Sequence, residues 1–215
     1  MGDAPLVPGR LYGLRTWRLV RDGGPERLAA PQRGTPWPPG GWLRAACEAG
    51  HRAPAPDCRC GLHAWHPRLA FARRVLASRF ELPGIVEAEG AVEVHEDGFR
   101  AERARPYAFV VLPTRNARLA ERLAAAYGAE VLPLRRADEL LAVCRERGLG
   151  LRERVVEELV GPEVLAAHRR ARVRRRRADA ARVLAAALAA ATLGVAGVVA
   201  DHEPADRGAK AARSR

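Results

Sequence analysis

Three of the chain's four cysteines, and a histidine, fall within the short stretch Cys47–Gly61, CEAGHRAPAPDCRCG. No other segment restricts the fold as strongly, because donors this close are gathered on a metal, kept as free thiols or oxidised. Cys47-x3-His51-x6-Cys58-x-Cys60 supplies three thiolates and one imidazole, the donor set that tetrahedral structural zinc prefers. Pro54 and Pro56 turn the chain back so that Cys47 and Cys60 can meet, and Gly61 lets the backbone curl beneath a metal. Cys-x-Cys is tighter than the usual Cys-x-x-Cys knuckle, so two alternatives stand beside zinc. One is a loop of reduced, half-buried thiols, and the other is a labile disulfide or redox pair. A nucleophilic Cys58 or Cys60 is a further alternative, since a nearby imidazole lowers a thiol's pKa. No sequence pattern marks an oxyanion hole or a third orienting group, and there is no phosphate-binding or dinucleotide-binding glycine motif.

A second stretch competes for attention. The net charge of +12 is concentrated between Arg169 and Arg182, where eight arginines face Asp179 alone. Arg169, Arg170, Arg172, Arg174, Arg175, Arg176 and Arg177 form its basic flank. Such a run suits the cytoplasmic flank of a membrane helix, a patch for nucleic acid or anionic lipid, or a solvated helix face. No aromatic residue interleaves the arginines, so the platform on which single-stranded bases stack is missing.

Directly after it, Val183–Ala200 runs eighteen residues without a charge, near the lower end of the ~17–25 residues a spanning helix needs. Eight of these residues are alanine. Leu184, Leu188, Val195 and Val199 lie within about 60° of one another on a helical wheel, as they would in a packing helix. The remaining face is alanine and glycine rather than polar, and Ala190 with Gly194 makes a small-xxx-small pair suited to helix contact in lipid. The expectation is a single-pass membrane helix with a cytoplasmic N-terminal domain; the alternative is an Ala-rich soluble or dimerising helix. Met1–Arg10 carries no long apolar core, which predicts no export signal and a reducing environment for the thiols.

The remaining pattern predicts an α+β protein with a small antiparallel, strand-rich N-terminal domain and a helical C-terminal half ending in a long helix. Leu11–Val20 reads as a strand rich in Tyr, Thr and Trp, turned at Asp22–Pro25 toward a partner over Glu26–Ala30. Pro31–Gly41 is a proline-rich loop expected to present Trp37, and Trp42–Ala46 is a short element before the cysteines. A helix is predicted from Pro67 to about Ser78, followed by Pro83-Gly84 as a break. Ile85–Val94 and Phe99–Tyr107 form a hairpin turned at Glu96-Asp97-Gly98, where Asp-Gly is expected to supply the positive backbone angles of a tight turn, with Glu87, Glu89 and Glu93 able to pair with Arg100, Arg103 and Arg105. Helical spacing ends at Gly128, Ala129–Leu134 is a short strand, and Ala137–Arg147 and Leu151–Val160 are helices; Cys144 is a small buried hydrophobe. The predicted organisation is a domain over 1–135, a helical linker over 136–168, the arginine flank and apolar helix over 169–200, and a disordered tail over 201–215.

The fragments YGLRTWRL, the Trp-Pro at Trp37, C-x10-C-x-C-G at Cys47–Gly61 and V-x-V-H-x-D-G-x-R-A at Val92–Ala101 resemble an uncharacterised family of bacterial proteins. The resemblance covers roughly residues 11–130. It implies an N-terminal α+β domain and carries over no catalytic residue. Leu62-His63-Ala64 stands where an apolar-aromatic-Ala run is expected, so His63 is not a ligand by resemblance.

These readings combine into a non-enzymatic, membrane-tethered cytoplasmic domain with a structural zinc site at Cys47, His51, Cys58 and Cys60, serving as a scaffold or binding an unknown protein partner. The alternatives are a soluble thiol-dependent enzyme using Cys58 or Cys60, and a nucleic-acid-binding module using Arg169–Arg177.

Overall fold

A computed structural model describes residues 9–21, 23–32, 34–78, 81–111, 117–166, 170, 173–174 and 177–187. The chain divides into two compact units, residues 1–162 and residues 163–215.

In the first unit the order is β1 (Leu11–Val20), β2 (Arg27–Ala29), β3 (Leu43–Arg44), β4 (Leu62–Trp65), α1 (Leu69–Ala77), β5 (Glu81–Val94), β6 (Gly98–Val111), α2 (Ala117–Tyr127), β7 (Glu130–Pro133), α3 (Ala137–Glu146) and α4 (Glu153–Val160). This is the expected α+β class. All seven strands join one sheet, antiparallel throughout except for β7, which runs parallel to β6.

The alternation along β1 decides how the sheet is covered. Leu11 and Trp17 enter one core, with Trp37, Val86, Phe109, Leu123 and Tyr127. Leu14, an odd number of residues away, faces the other core with Phe71, Val75, Ile85, Leu140 and Cys144, because successive strand side chains point to opposite faces. Helix α2 therefore covers one face, and α1 and α3 cover the other.

The two longest strands, β5 and β6, form the central ladder. Glu87 lies opposite Arg105, Glu89 opposite Arg103 and Glu93 opposite Arg100, so the charge pairing read from the sequence is realised in register. Arg105 Nε is 2.6 Å from Glu87 and Arg103 is 3.1 Å from Glu89, and Arg100 also bonds Glu93. The ladder shifts register between Ile85 and Val86 and again between Glu89 and Val92. Pro106 lies at the first shift, where a missing N–H costs the ladder least.

β6 offers its second edge to three partners in turn. Residues 98–101 pair with β4, 103–104 with β3 and 108–111 with β7. β1 pairs along β5 and also meets β4 at Leu14–Trp65, so β1, β5, β6 and β4 close a circuit of pairings.

Several expectations need correction. Trp37 is not presented by its loop but is fully buried, edge-to-face with Trp17 at 5.6 Å. The loop can bury it because its backbone is satisfied: Trp37 N–H donates to Leu28 and Tyr127 Oη donates to the Trp37 carbonyl. Pro83 and Gly84 do not break the chain but lie inside β5, paired with Thr16 and Arg15. Gly98 opens β6 outside the positive-φ region expected of it; glycine is needed there because a Cβ would stand 2.0 Å from the Ala64 carbonyl oxygen.

In the second unit, residues 163–166 and 177–187 are helical, and every residue from 177 to 187 is exposed. Among the described residues no helix is long and apolar enough to cross a membrane, which overturns the single-pass membrane expectation. The described helix over 177–187 carries Arg177, Asp179 and Arg182 in its first six residues and includes only Val183–Ala187 of the expected span, short of the ~17–25 apolar residues a crossing needs. Residues 188–200 of the apolar stretch and the tail over 201–215 lie outside the described residues. Of the arginine flank, Arg170, Arg174 and Arg177 are helical and exposed, while Arg169, Arg172, Arg175 and Arg176 lie outside them.

Candidate metal centre

The cysteine loop leaves the sheet after β3 and returns at β4, and both strands pair with neighbouring stretches of one edge of β6. Between them, Ala45 N–H donates to the Glu102 carbonyl at 2.7 Å, extending the β3 pairing into the loop. Cys47 and Cys60 therefore start from adjacent points of the sheet, and the loop between them closes on itself.

The donor atoms of Cys47, His51, Cys58 and Cys60 all lie within 4.8 Å of one another. Cys47 Sγ stands 3.7 Å from Cys58 Sγ and 3.3 Å from His51 Nε2, and Cys60 Sγ is 3.8 Å from His51 Nδ1. Four donors around one zinc ion, at Zn–S about 2.3 Å and Zn–N about 2.1 Å, would stand roughly 3.5–3.8 Å apart. The Cys47–Cys58 and Cys47–His51 Nε2 distances are close to these values, and the compact donor set could hold a metal such as zinc. His51 Nδ1 is also 3.3 Å from the Arg52 carbonyl, the type of outer contact that fixes an imidazole for ligation through its other nitrogen.

The electrostatics of the thiols differ. Cys58 is lowered to about 7, first by the Cys60 backbone N–H bonded to its sulfur and then by the neighbouring Cys47, Cys60 and His51 side chains. Burial raises Cys60. Cys144 lies outside the cluster in the α1–α3 core, and burial pushes it up to about 11, as befits a small apolar side chain.

Two residues of β6 that local sequence patterns do not connect with the cysteines hold the loop. Arg100, nine-tenths buried, donates Nη1 to the carbonyls of Cys58 and Cys60, the latter at 3.1 Å, and Nη2 to Ala55 at 3.4 Å. Its Nε donates to His95 Nε2 at 3.2 Å. Two residues on, and so on the same strand face, the buried Glu102 carboxylate accepts from Arg44 at 2.5 Å, Arg52 at 2.8 Å and the Ala91 N–H at 3.2 Å. Those arginines hold Glu102 down to about 2. Arg100 grips the returning limb of the loop, and Glu102 grips the departing limb beside His51. Gly61, at φ +119°, passes so close that a Cβ would meet Arg100 Cβ at 2.9 Å.

Among the described residues, His63 and His66 are not part of the cluster. His63 Nε2 is 3.1 Å from the Arg59 carbonyl, and burial lowers its pKa. His66 is buried, with Nε2 2.9 Å from the His95 carbonyl. Arg15 is buried over the Trp37 ring at 5.1 Å and donates to the His63 carbonyl; burial lowers it to about 10. A cleft of about 520 Å³ opens beside the centre, with Cys47, His51, Arg44, Arg52 and Glu102 in its lining.

Fold and cluster together define an α+β domain carrying a Cys₃His group that could hold a metal ion. No family model, curated protein or solved structure matches the chain.

Proposed function

We propose that Cys47, His51, Cys58 and Cys60 hold a structural zinc ion, and that the chain is a non-enzymatic domain that binds or scaffolds a protein partner. The convergence of all four donors within 4.8 Å carries this reading. Four protein donors complete a tetrahedron, whereas catalytic zinc sites keep one position for water or substrate. His51 ligates through Nε2 while Nδ1–H bonds the Arg52 carbonyl. When bound, the ion ties together a loop that the Arg100 and Glu102 side chains hold from the sheet.

Elemental analysis of the purified full chain tests the proposal, with an expected value of one zinc per chain and a fall in melting temperature on chelation. Serine at Cys47, Cys58 or Cys60 should lower both metal content and melting temperature. A chain that holds less than a tenth of an equivalent after zinc reconstitution would sink the metal centre. The same variants separate a thiol-dependent enzyme, in which one serine substitution removes activity while metal content and stability stay unchanged.

A further inference from the structure

We infer that Cys47 and Cys58 are a peroxide-responsive modification site: Cys47 is oxidised first, and Cys58 then closes a disulfide onto it. The inference rests on the Cys₃His centre proposed above, because the pair supplies half of its donors. The three thiols of the cluster are not equivalent. Cys47 and Cys58 are half-buried and their sulfurs are 3.7 Å apart, whereas Cys60 is buried. The cleft of about 520 Å³ is lined by Cys47 and not by Cys58 or Cys60, so a small polar oxidant from solvent meets Cys47 first.

The backbone is arranged for the same pairing. Arg100 fixes the carbonyls on the Cys58–Cys60 limb. Residues 48–52, which follow Cys47, are all exposed, and the tie from this stretch to Glu102 is the long Arg52 side chain at its far end, which leaves the Cys47 backbone room to move. Drawing the sulfurs together to the roughly 2.05 Å of a disulfide therefore moves the Cys47 side and disturbs neither core. Cys60 stays buried, its carbonyl held by Arg100.

The chemistry balances with hydrogen peroxide as oxidant. The Cys47 thiolate attacks one peroxide oxygen; an S–O bond forms, the O–O bond breaks and hydroxide leaves. The Cys58 thiolate attacks the Cys47 sulfur; the S–S bond forms, the S–O bond breaks and a second hydroxide leaves. Two sulfurs give up two electrons in total, and one peroxide becomes two waters once protonated. The loop then keeps only His51 and Cys60 as donors, too few for tetrahedral ligation.

The test uses the full chain reconstituted with zinc and treated with equimolar hydrogen peroxide. Alkylation and peptide mass spectrometry map the cysteines, and a chromophoric chelator follows zinc release. The expected result is a Cys47–Cys58 linkage, Cys60 and Cys144 still reduced, one zinc released per linkage, and full reversal by a thiol reductant. In Cys58→Ser, Cys47 should accumulate as a sulfenic acid that a dione reagent traps. A first linkage that includes Cys60, a linkage between chains, irreversible oxidation of Cys47, or full retention of zinc with reduced Cys47 would each overturn the inference. The wild-type mapping stands whether or not the serine variant folds. A chain that binds no zinc but forms the Cys47–Cys58 linkage would overturn the metal centre and leave the modification site; a zinc-loaded chain without that linkage would do the reverse.

Discussion

Arg100 Nη1 donates to the carbonyl oxygen of Cys60 across 3.1 Å, from a guanidinium that is itself nine-tenths buried. Forty residues separate the two in sequence. The contact places a fixed positive charge under a loop of three thiols, and it orients the backbone from which two of them project. A buried guanidinium is stable only when its donors are used, and this one is satisfied by Glu93, His95 and three loop carbonyls.

Arg100 should therefore control metal affinity more than fold. Arg100→Gln removes the charge and most of the carbonyl bonds, and zinc affinity should fall by about 10–100-fold, the range found for outer-shell partners of metal ligands. Arg100→Lys keeps the charge and should recover part of the loss. Competition with a chelator of known affinity measures both. Equal affinity in wild type and Arg100→Gln would show that the loop orders its own donors.

Glu102 adds a pH dependence whose sign is fixed. Its carboxyl is held at about 2, first by the bonds from Arg44 and Arg52, well below the ordinary carboxylate range. A lowered carboxylate stabilises the fold above its unfolded pKa and loses that contribution as pH falls through the folded value. Reduced, metal-free protein is used so that release of an ion in acid does not obscure the effect. Stability to urea should fall between about pH 4.5 and pH 2, and Glu102→Gln should reduce that slope while lowering stability at pH 6. A slope unchanged by Glu102→Gln would assign the acid loss to other carboxylates.

What the sequence made legible depended on how local each interaction is. The pairing of Glu87, Glu89 and Glu93 with Arg105, Arg103 and Arg100 follows from strand alternation around one short turn, so it is readable from adjacent segments. The cysteine cluster is readable because its four donors are close in sequence and chemically alike in their demand. Arg100 and Glu102 are not readable as its supports, because nothing near Cys58 or Arg52 indicates which strand runs beneath them. The signal that existed is a pair of opposite charges two residues apart on one strand face, both needing partners. Trp37 is a similar case: proline marks its loop, but its burial depends on Trp17 and on Tyr127, ninety residues later.

Gly98 links the sheet to the centre. Any Cβ there would fall 2.0 Å from the Ala64 carbonyl oxygen and 2.9 Å from Trp65 Cα, so β4 must shift. Gly98→Ala should cost about 1–3 kcal/mol, as overpacking does, and should also weaken zinc binding because Cys60 lies two residues before β4. Gly24→Ala, with no atom within 4 Å and an unexceptional φ, should be near neutral and serves as the control. Denaturant midpoints and zinc affinities for the pair test this; a destabilised Gly98→Ala that binds zinc as tightly as wild type would uncouple the strand from the loop.

Tyr127 tests whether the buried proline-rich loop depends on α2. Its hydroxyl donates to the Trp37 carbonyl at 3.0 Å and accepts from the Leu28 N–H at 2.9 Å, both buried. Tyr127→Phe keeps the ring against Phe109 but leaves a buried donor and a buried acceptor without that partner. An orphaned buried polar group costs about 1–3 kcal/mol, so the variant should lose about that much stability to urea while keeping its zinc. Trp17 and Trp37 lie beside the lost bonds, and their emission should shift to longer wavelength if water enters. A Tyr127→Phe protein with unchanged midpoint and unchanged emission would mean that the loop holds Trp37 in the core without help from the helix.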